Sequence, residues 1–305
     1  MLRLWENHRR KTTPIINKST IQQLNFYPLF DSKTIQIILG LLIAVMFSSC
    51  MTERNLASQF VMTENNINVL IMPPTALIKS YYSVNPANVD PDSLVAENLE
   101  DSRFIKSLND TAFVNYFLRS LNHYLERFQL NVYTPQNIDA FFQLDSNAYL
   151  FSVAQLELLE YDDKYQDVTF FDTVAYRVVL PQTTVEKSVW FEFSELNKPD
   201  QPLEVYYSMQ STGDFFDGGF YWNWRTGEMT YRHTRYELEE ADVYDLAYFA
   251  GRKNAQYIFD LLMNRYVAQN IKRQRRTPVY YQYDIDQHQI KRANQDRFIK
   301  IPQNN

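Results

Sequence analysis

The sequence predicts an α/β (α+β) fold: a mixed β-sheet with packed helices, a long C-terminal helix and a basic, extended tail. Three observations carry that expectation. "INVLIM" (67–72) is a short apolar, β-branched run stopped by Pro73-Pro74, the pattern of a strand buried on both faces. "TAFVNYFLRSLNHYLERF" (111–128) repeats Phe113, Phe117, Leu121, Tyr124 and Phe128 at steps of three and four, one apolar helix face. From 148 onward the period changes to that of strands, in a chain where 15 % of residues are aromatic and suited to pleated surfaces.

Each element follows from local chemistry. "LIKSYYS" (77–83) reads as a further strand or extended segment, and "VNPANVDPDSL" (84–94) as a loop, with its prolines and Asx residues. Asn109 or Asp110 caps the amphipathic helix. "LNVYT" (130–134) is a short strand, and Thr134-Pro135 opens the small helix "QNIDAFFQL" as an N-cap with a first-turn proline. "AYLFSVAQLELLEY", "TVAYRVVLP", "EKSVWFEFSEL" and "LEVYYSMQS" read as four strands of a meander split by polar turns. "YWNWRTGEMTYRHTRYEL" (221–238) reads as a hairpin, with Gly227 supplying a left-handed turn residue. The closing helix runs from Glu240 to about Asn270, with Val243, Leu246, Ala247, Ala250, Asn254, Ile258, Leu261 and Leu262 at helical spacing and Gly251 as a weak point.

Four segments result: a leader (1–49), a lipid-attached polar tether (50–66), an α/β domain (67–270), and a basic, flexible tail (271–305). The leader carries six Lys/Arg against two Asp/Glu, and the tail eight against three. With −6 overall, residues 50–270 hold −15, a balance that speaks against nucleic acid, which needs a basic face.

The apolar run Ile35–Phe47 spans 13 residues, short of the ~20 that a helix needs to cross a bilayer. It has the length of a signal-peptide core, with Lys33 before it and Ser48, Ser49 after. Cys50, the single cysteine, follows at once. "FSSC" (47–50) resembles the lipoprotein box of bacteria, in a serine-rich form similar to that of the Bacteroidota. The resemblance implies cleavage before Cys50 and acylation of its thiol. Two or more acyl chains, at ~0.8 kcal/mol per buried methylene, anchor a protein without a spanning helix. The plain alternative is an ordinary buried cysteine. After residue 50 a disulfide within the chain and a thiolate metal site are both excluded.

A second resemblance lies in the domain. "NVLIMPP" (68–74), "AYLFSVAQLELLEY" (148–161) and "WRTGEMTYRH" (224–233) are similar to the first strand, the long second strand and the Thr-Gly-Glu hairpin of envelope-assembly lipoproteins. That group includes the curli-secretion lipoprotein and the lipoprotein activators of penicillin-binding proteins. The likeness covers about residues 67–267; the aromatic stretch 214–224 and the tail after 270 depart from it. It implies an outer-membrane, periplasm-facing adaptor or assembly factor that binds another envelope protein or itself.

Motifs for chemistry are sparse. His123, His233 and His288 form no ligand-spaced pair, no serine stands in a G-x-S-x-G elbow, and the five glycines after Cys50 are too scattered for a phosphate loop, so neither metal nor cofactor is expected. Asp162-Asp163 and Asp214/Asp217 are the candidate acid pairs or calcium ligands, against the alternative that both are turns. "GDFFDGGFYWNWRTG" (213–227) crowds Phe215, Phe216, Phe220, Trp222 and Trp224; in a hairpin Phe220, Trp222 and Trp224 share one face. Such a face packs on the sheet, or it forms a platform for a partner protein or for sugar rings. The glycan version makes a surface lipoprotein the second functional reading. In the tail, Lys272, Arg273, Arg275 and Arg276 would contact acidic lipid or an acidic neighbour, and the alternating Tyr280, Tyr281 and Tyr283 could add a strand to a neighbour's edge.

Overall fold

A computed structural model describes residues 53–63, 66–90, 93–196, 198, 203–271 and 280–302. The chain divides after Cys50, and the described residues belong to the unit that follows it. Its fold is α+β. Cys50 and Lys272, Arg273, Arg275 and Arg276 lie outside the described residues.

Helix α1 (53–63) opens the unit, followed by strands β1 (Asn68–Met72) and β2 (Leu77–Tyr82), and helix α2 (Asp110–Arg127). Strand β3 (Asn131–Tyr133) and helix α3 (Ile138–Phe142) lead into β4 (Ala148–Phe171), β5 (Val174–Glu195) and β6 (Glu204–Gly213). A hairpin, β7 (Phe215–Asn223) and β8 (Glu228–Tyr236), precedes helix α4 (Glu240–Asn270). The chain closes with β9 (Tyr280–Asp284), β10 (Gln289–Ala293) and β11 (Ile299–Ile301).

The main sheet runs β11-β6-β5-β4-β1-β3, and β2 also pairs with β4. Strands β1 and β2 lie end to end along one side of β4 and parallel to it, while β5, β6 and β11 continue antiparallel on the other. Helices α1, α2 and α4 cover one face. There Val69, Ile71, Phe113, Phe117, Leu121, Phe151, Phe191 and Phe259 form the core, each worth about 1.5–3 kcal/mol by burial. A smaller cluster around Leu70, Phe141 and Ala148 sits under α3 on the other face.

The amphipathic helix buries Phe113, Phe117, Leu121 and Leu125, with Asn109 as its cap: Asn109 Oδ1 accepts from Ala112 N at 3.0 Å. All eight expected core positions of α4 are buried. Gly251, however, is no weak point. A Cβ there would stand 2.3 Å from Phe117 O, so the bare backbone is what lets α2 and α4 cross in contact.

Buried polar groups tie loops to the sheet. Glu160 of β4 accepts from the backbone N–H groups of Arg103, Phe104 and Ile105 at 2.6, 2.9 and 3.1 Å, holding the segment before α2. Lys187 is fully buried; its Nζ donates to Gln210 Oε1 at 2.8 Å and lies 5.0 Å from the centre of the Phe117 ring. Burial holds its ammonium well below the ordinary lysine range.

Three expectations change. Residues 53–63, read as polar tether, are helical, with Ala57 and Phe60 buried and the Phe60 ring 5.4 Å from that of Phe259. The four-strand meander becomes three strands, because β4 continues through "EYDDKY" and the two segments after it fuse into β5. Past Tyr161 and Thr184 neither β2 nor β6 pairs any longer, so charges and Pro181 meet no core and no further ladder there. The tail, expected to be flexible, is folded from 280 to 302. Tyr281 and Tyr283 are buried on α4, where Gln256, Asp260 and Asn264 stand in for a paired strand. Tyr281 N donates to Asn264 Oδ1 at 2.7 Å, Tyr283 N to Asp260 Oδ1 at 2.8 Å, and Gln256 Nε2 to Tyr283 O at 3.1 Å. Four residues of helix rise ~6 Å, close to the ~6.7 Å of two strand residues, so the two backbones keep step. Burial lifts the Asp260 carboxyl to about 8 despite Arg297, whose Nε stands 3.3 Å away. Strand β11 then adds to the edge of β6 in the same chain, Ile299 opposite Tyr207.

Candidate functional site: the aromatic β arm

Beyond Tyr161 and Thr184 the β4–β5 ribbon leaves the sheet for ten residues per strand, a reach of ~33 Å. Successive side chains alternate between its faces. Tyr165, Asp167 and Thr169 of β4, with Tyr176, Val178 and Leu180 of β5, are half-buried; Lys164, Gln166, Val168, Phe170, Arg177 and Val179 are exposed.

The β7–β8 hairpin packs on the half-buried face. Tyr165 stacks on Phe216 with centroids 5.0 Å apart, Phe171 stacks on Trp222 at 5.0 Å, and Tyr176 meets Phe220 at 6.4 Å. Two amphipathic ribbons thus share one aromatic seam. Gly218 makes room within the hairpin, since a Cβ there would come within 2.3 Å of Arg232 O; Gly227 turns it, with φ +69° and its N–H on Asn223 O at 2.8 Å. Burial, with Asp167 and Tyr165 beside it, pushes Tyr231 up to about 12.

The five aromatics singled out in 215–224 therefore separate. Phe216 is buried, and Phe220 and Trp222 are half-buried in the seam. Phe215 is exposed on the opposite face, and Trp224, in the turn past the strand, is 88 % exposed, its ring meeting that of Trp222 edge-on with centroids 6.2 Å apart. Phe170, 74 % exposed, and Phe171 stand at the other turn, so both hairpin ends present rings at one tip. Phe170 and Phe171 stand outside the stretch singled out from the sequence, although "KYQDVTFF" alternates without Gly or Pro and held the signal.

Of the candidate acids, Asp214 fastens the base of the arm. Its side chain is fully buried; Oδ2 accepts from Thr183 N at 2.9 Å and Arg235 Nη2 at 2.8 Å, and Oδ1 from Leu238 N at 2.8 Å. Burial raises its carboxyl, but the Thr183 and Leu238 N–H groups and the Arg235 guanidinium outweigh that and hold it below the ordinary value. Asp217 is exposed on the hairpin's outer face with Phe215. Asp162 and Asp163 are strand residues on opposite faces, not a turn. They line a hollow of about 380 Å³ with Lys164 and Arg235, and Asp163 Oδ2 accepts from Asn85 Nδ2 at 2.8 Å. Among the described residues no three His, Cys, Asp or Glu side chains are placed to hold a metal ion, and no helix is long and apolar enough to cross a membrane. Compared with known protein families and with curated proteins, the chain matches none.

Proposed function

We propose that this protein is a lipoprotein, acylated at Cys50 and held on the outer membrane facing the periplasm, that acts as a non-enzymatic adaptor or assembly factor. One observation supports the reading most: a two-layer arm that carries exposed Phe170, Phe171 and Trp224 at its tip, away from the core. Monomeric surfaces rarely spend large aromatic area this way without a partner. The anchor fits the same reading. Cys50 precedes α1 by three residues, a reach of at most ~10 Å, so acylation there leaves little free tether before the folded domain.

The test is affinity purification from detergent-solubilised envelopes, comparing the native chain with Phe170→Ser/Trp224→Ser. A partner or second copy recovered with the first and lost from the second, at equal thermal stability, supports the reading; identical recoveries count against it. Mass spectrometry of the same material should show an acylated N-terminal Cys50. The exposed rings of Phe215, Tyr221 and Trp224 also favour a second reading, a surface glycan-binding lipoprotein. Retention of defined polysaccharides by the native chain but not by Trp224→Ser would select it.

A further inference from the structure

The face of the sheet turned away from α2 and α4 is built from aligned rows across four strands. Ile78, Glu157, Ser188 and Met209 are paired in register across β2, β4, β5 and β6. The next row holds Gln155, Trp190, Tyr207 and Ile299. Glu186 and Glu192 flank these rows on β5. None of the apolar members belongs to either core cluster, and Met209 and Ile299 are 52 % and 62 % exposed.

The two rows and their flanking acids contain three carboxylates and no Lys or Arg. Among the described residues none of the three forms an ion pair; Glu186 Oε1 only accepts from Ser188 Oγ, at 3.3 Å, and the Ser188 and Tyr207 hydroxyls share a bond of 2.8 Å. Carboxylates elsewhere contrast with this. Glu195 and Glu204 hold Arg265 at 2.7 Å each, and Asp214 holds Arg235. Partial burial raises the carboxyls of Glu157 and Glu186, the latter further through the charge of Glu157, so both sit partly desolvated without a counter-charge. The aromatic pair Trp190–Tyr207, centroids 4.9 Å apart, stands between the acidic rows.

We propose that this face binds a basic, extended segment of a partner protein, cations over Glu157, Glu186 and Glu192 and an apolar side chain over Trp190. Adjacent rows are ~6.7 Å apart, the interval at which an extended segment repeats its same-side residues, so one strand laid along β5 meets acid, acid, aromatic and acid in turn. The proposal is independent of the arm, which lies beyond these rows.

The test uses the full chain in detergent and a fluorescent synthetic peptide with lysine, lysine, leucine and lysine at alternate positions and serine between them. Anisotropy should show salt-sensitive binding that falls roughly tenfold in Glu157→Gln/Glu186→Gln, the loss of two partly exposed ion pairs. Trp190→Ala should weaken it as well, and Phe170→Ser/Trp224→Ser should leave it unchanged. Circular dichroism confirms that each variant is folded. Equal binding by the double glutamine variant, equal binding of the peptide with glutamates for lysines, or displacement by neutral dextran overturns the proposal. So does self-association that Trp190→Ala abolishes, which would give the face to a second copy.

Discussion

The same two strands, β4 and β5, build both the centre of the sheet and the arm, yet the two halves are held in different ways. Between Ala148 and Tyr161, β4 is paired on both sides and roofed by α2 and α4, and Phe151, Phe191 and Phe193 lose nearly all contact with water. Beyond Tyr161 the ribbon keeps one ladder and one face of packing; Tyr165 and Tyr176 are half-buried, and Phe170 and Phe171 are exposed. Stability concentrates in the first half, and accessible chemistry in the second. The comparison teaches that a long hairpin can take rigidity from one end and spend its side chains at the other, provided something fastens the junction. Asp214 is that fastening.

Four changes sharpen or break this contrast. Phe117→Ala empties a fully buried ring site between α2 and the sheet and should cost about 3–5 kcal/mol in denaturant unfolding. Asp214→Ala leaves two backbone N–H groups and the Arg235 guanidinium without their acceptor. A loss of about 3 kcal/mol is expected, with hydrogen exchange accelerated across 215–236 ahead of the helices. If exchange rose uniformly instead, the arm would not be a separable unit.

Lys187→Met should act in the opposite direction, gaining about 1–2 kcal/mol at neutral pH. The sign follows from its depressed folded value: between that value and the ordinary 10.5 the unfolded chain holds a proton that the folded chain lacks. Native stability therefore gains from this group as pH rises toward 10.5, and unfolding curves of the methionine variant should lose that gain. Phe170→Ser, at the tip, should stay within about 0.5 kcal/mol of the native chain. A larger loss would mean that the tip is structural and would remove the main support for a docking arm.

Local pattern made much of this legible. Phe113, Phe117 and Leu121 marked a buried helix face, and Val243 through Leu262 marked α4, because a 3.6-residue period is written in the chain itself. The arm was only half legible. The hairpin at 221–238 and the turn at Gly227 were readable, but its start at Phe215 was not, nor was the continuity of β4 through Asp162 and Asp163. Two acids beside a lysine look like a turn, and only the absence of flanking strands explains why they are tolerated in a ribbon. Gly251 misled for a related reason: its cost to the helix is local, while its benefit lies in Phe117 and Ser120 of another element.

By itself the sequence determined many of the elements: where α2 and α4 begin, which residues face inward along them, and that strands dominate from 148 to 236. Tertiary structure decided the partners. It seated residues 53–63 and strand β9 on α4 and β11 on the edge of β6, split the 215–224 rings between seam and solvent, and left Glu157, Glu186 and Glu192 on a face turned away from α2 and α4. The physical reason is range. Periodicity and capping act within a few residues, whereas burial, strand continuation and charge pairing depend on what another part of the chain brings alongside.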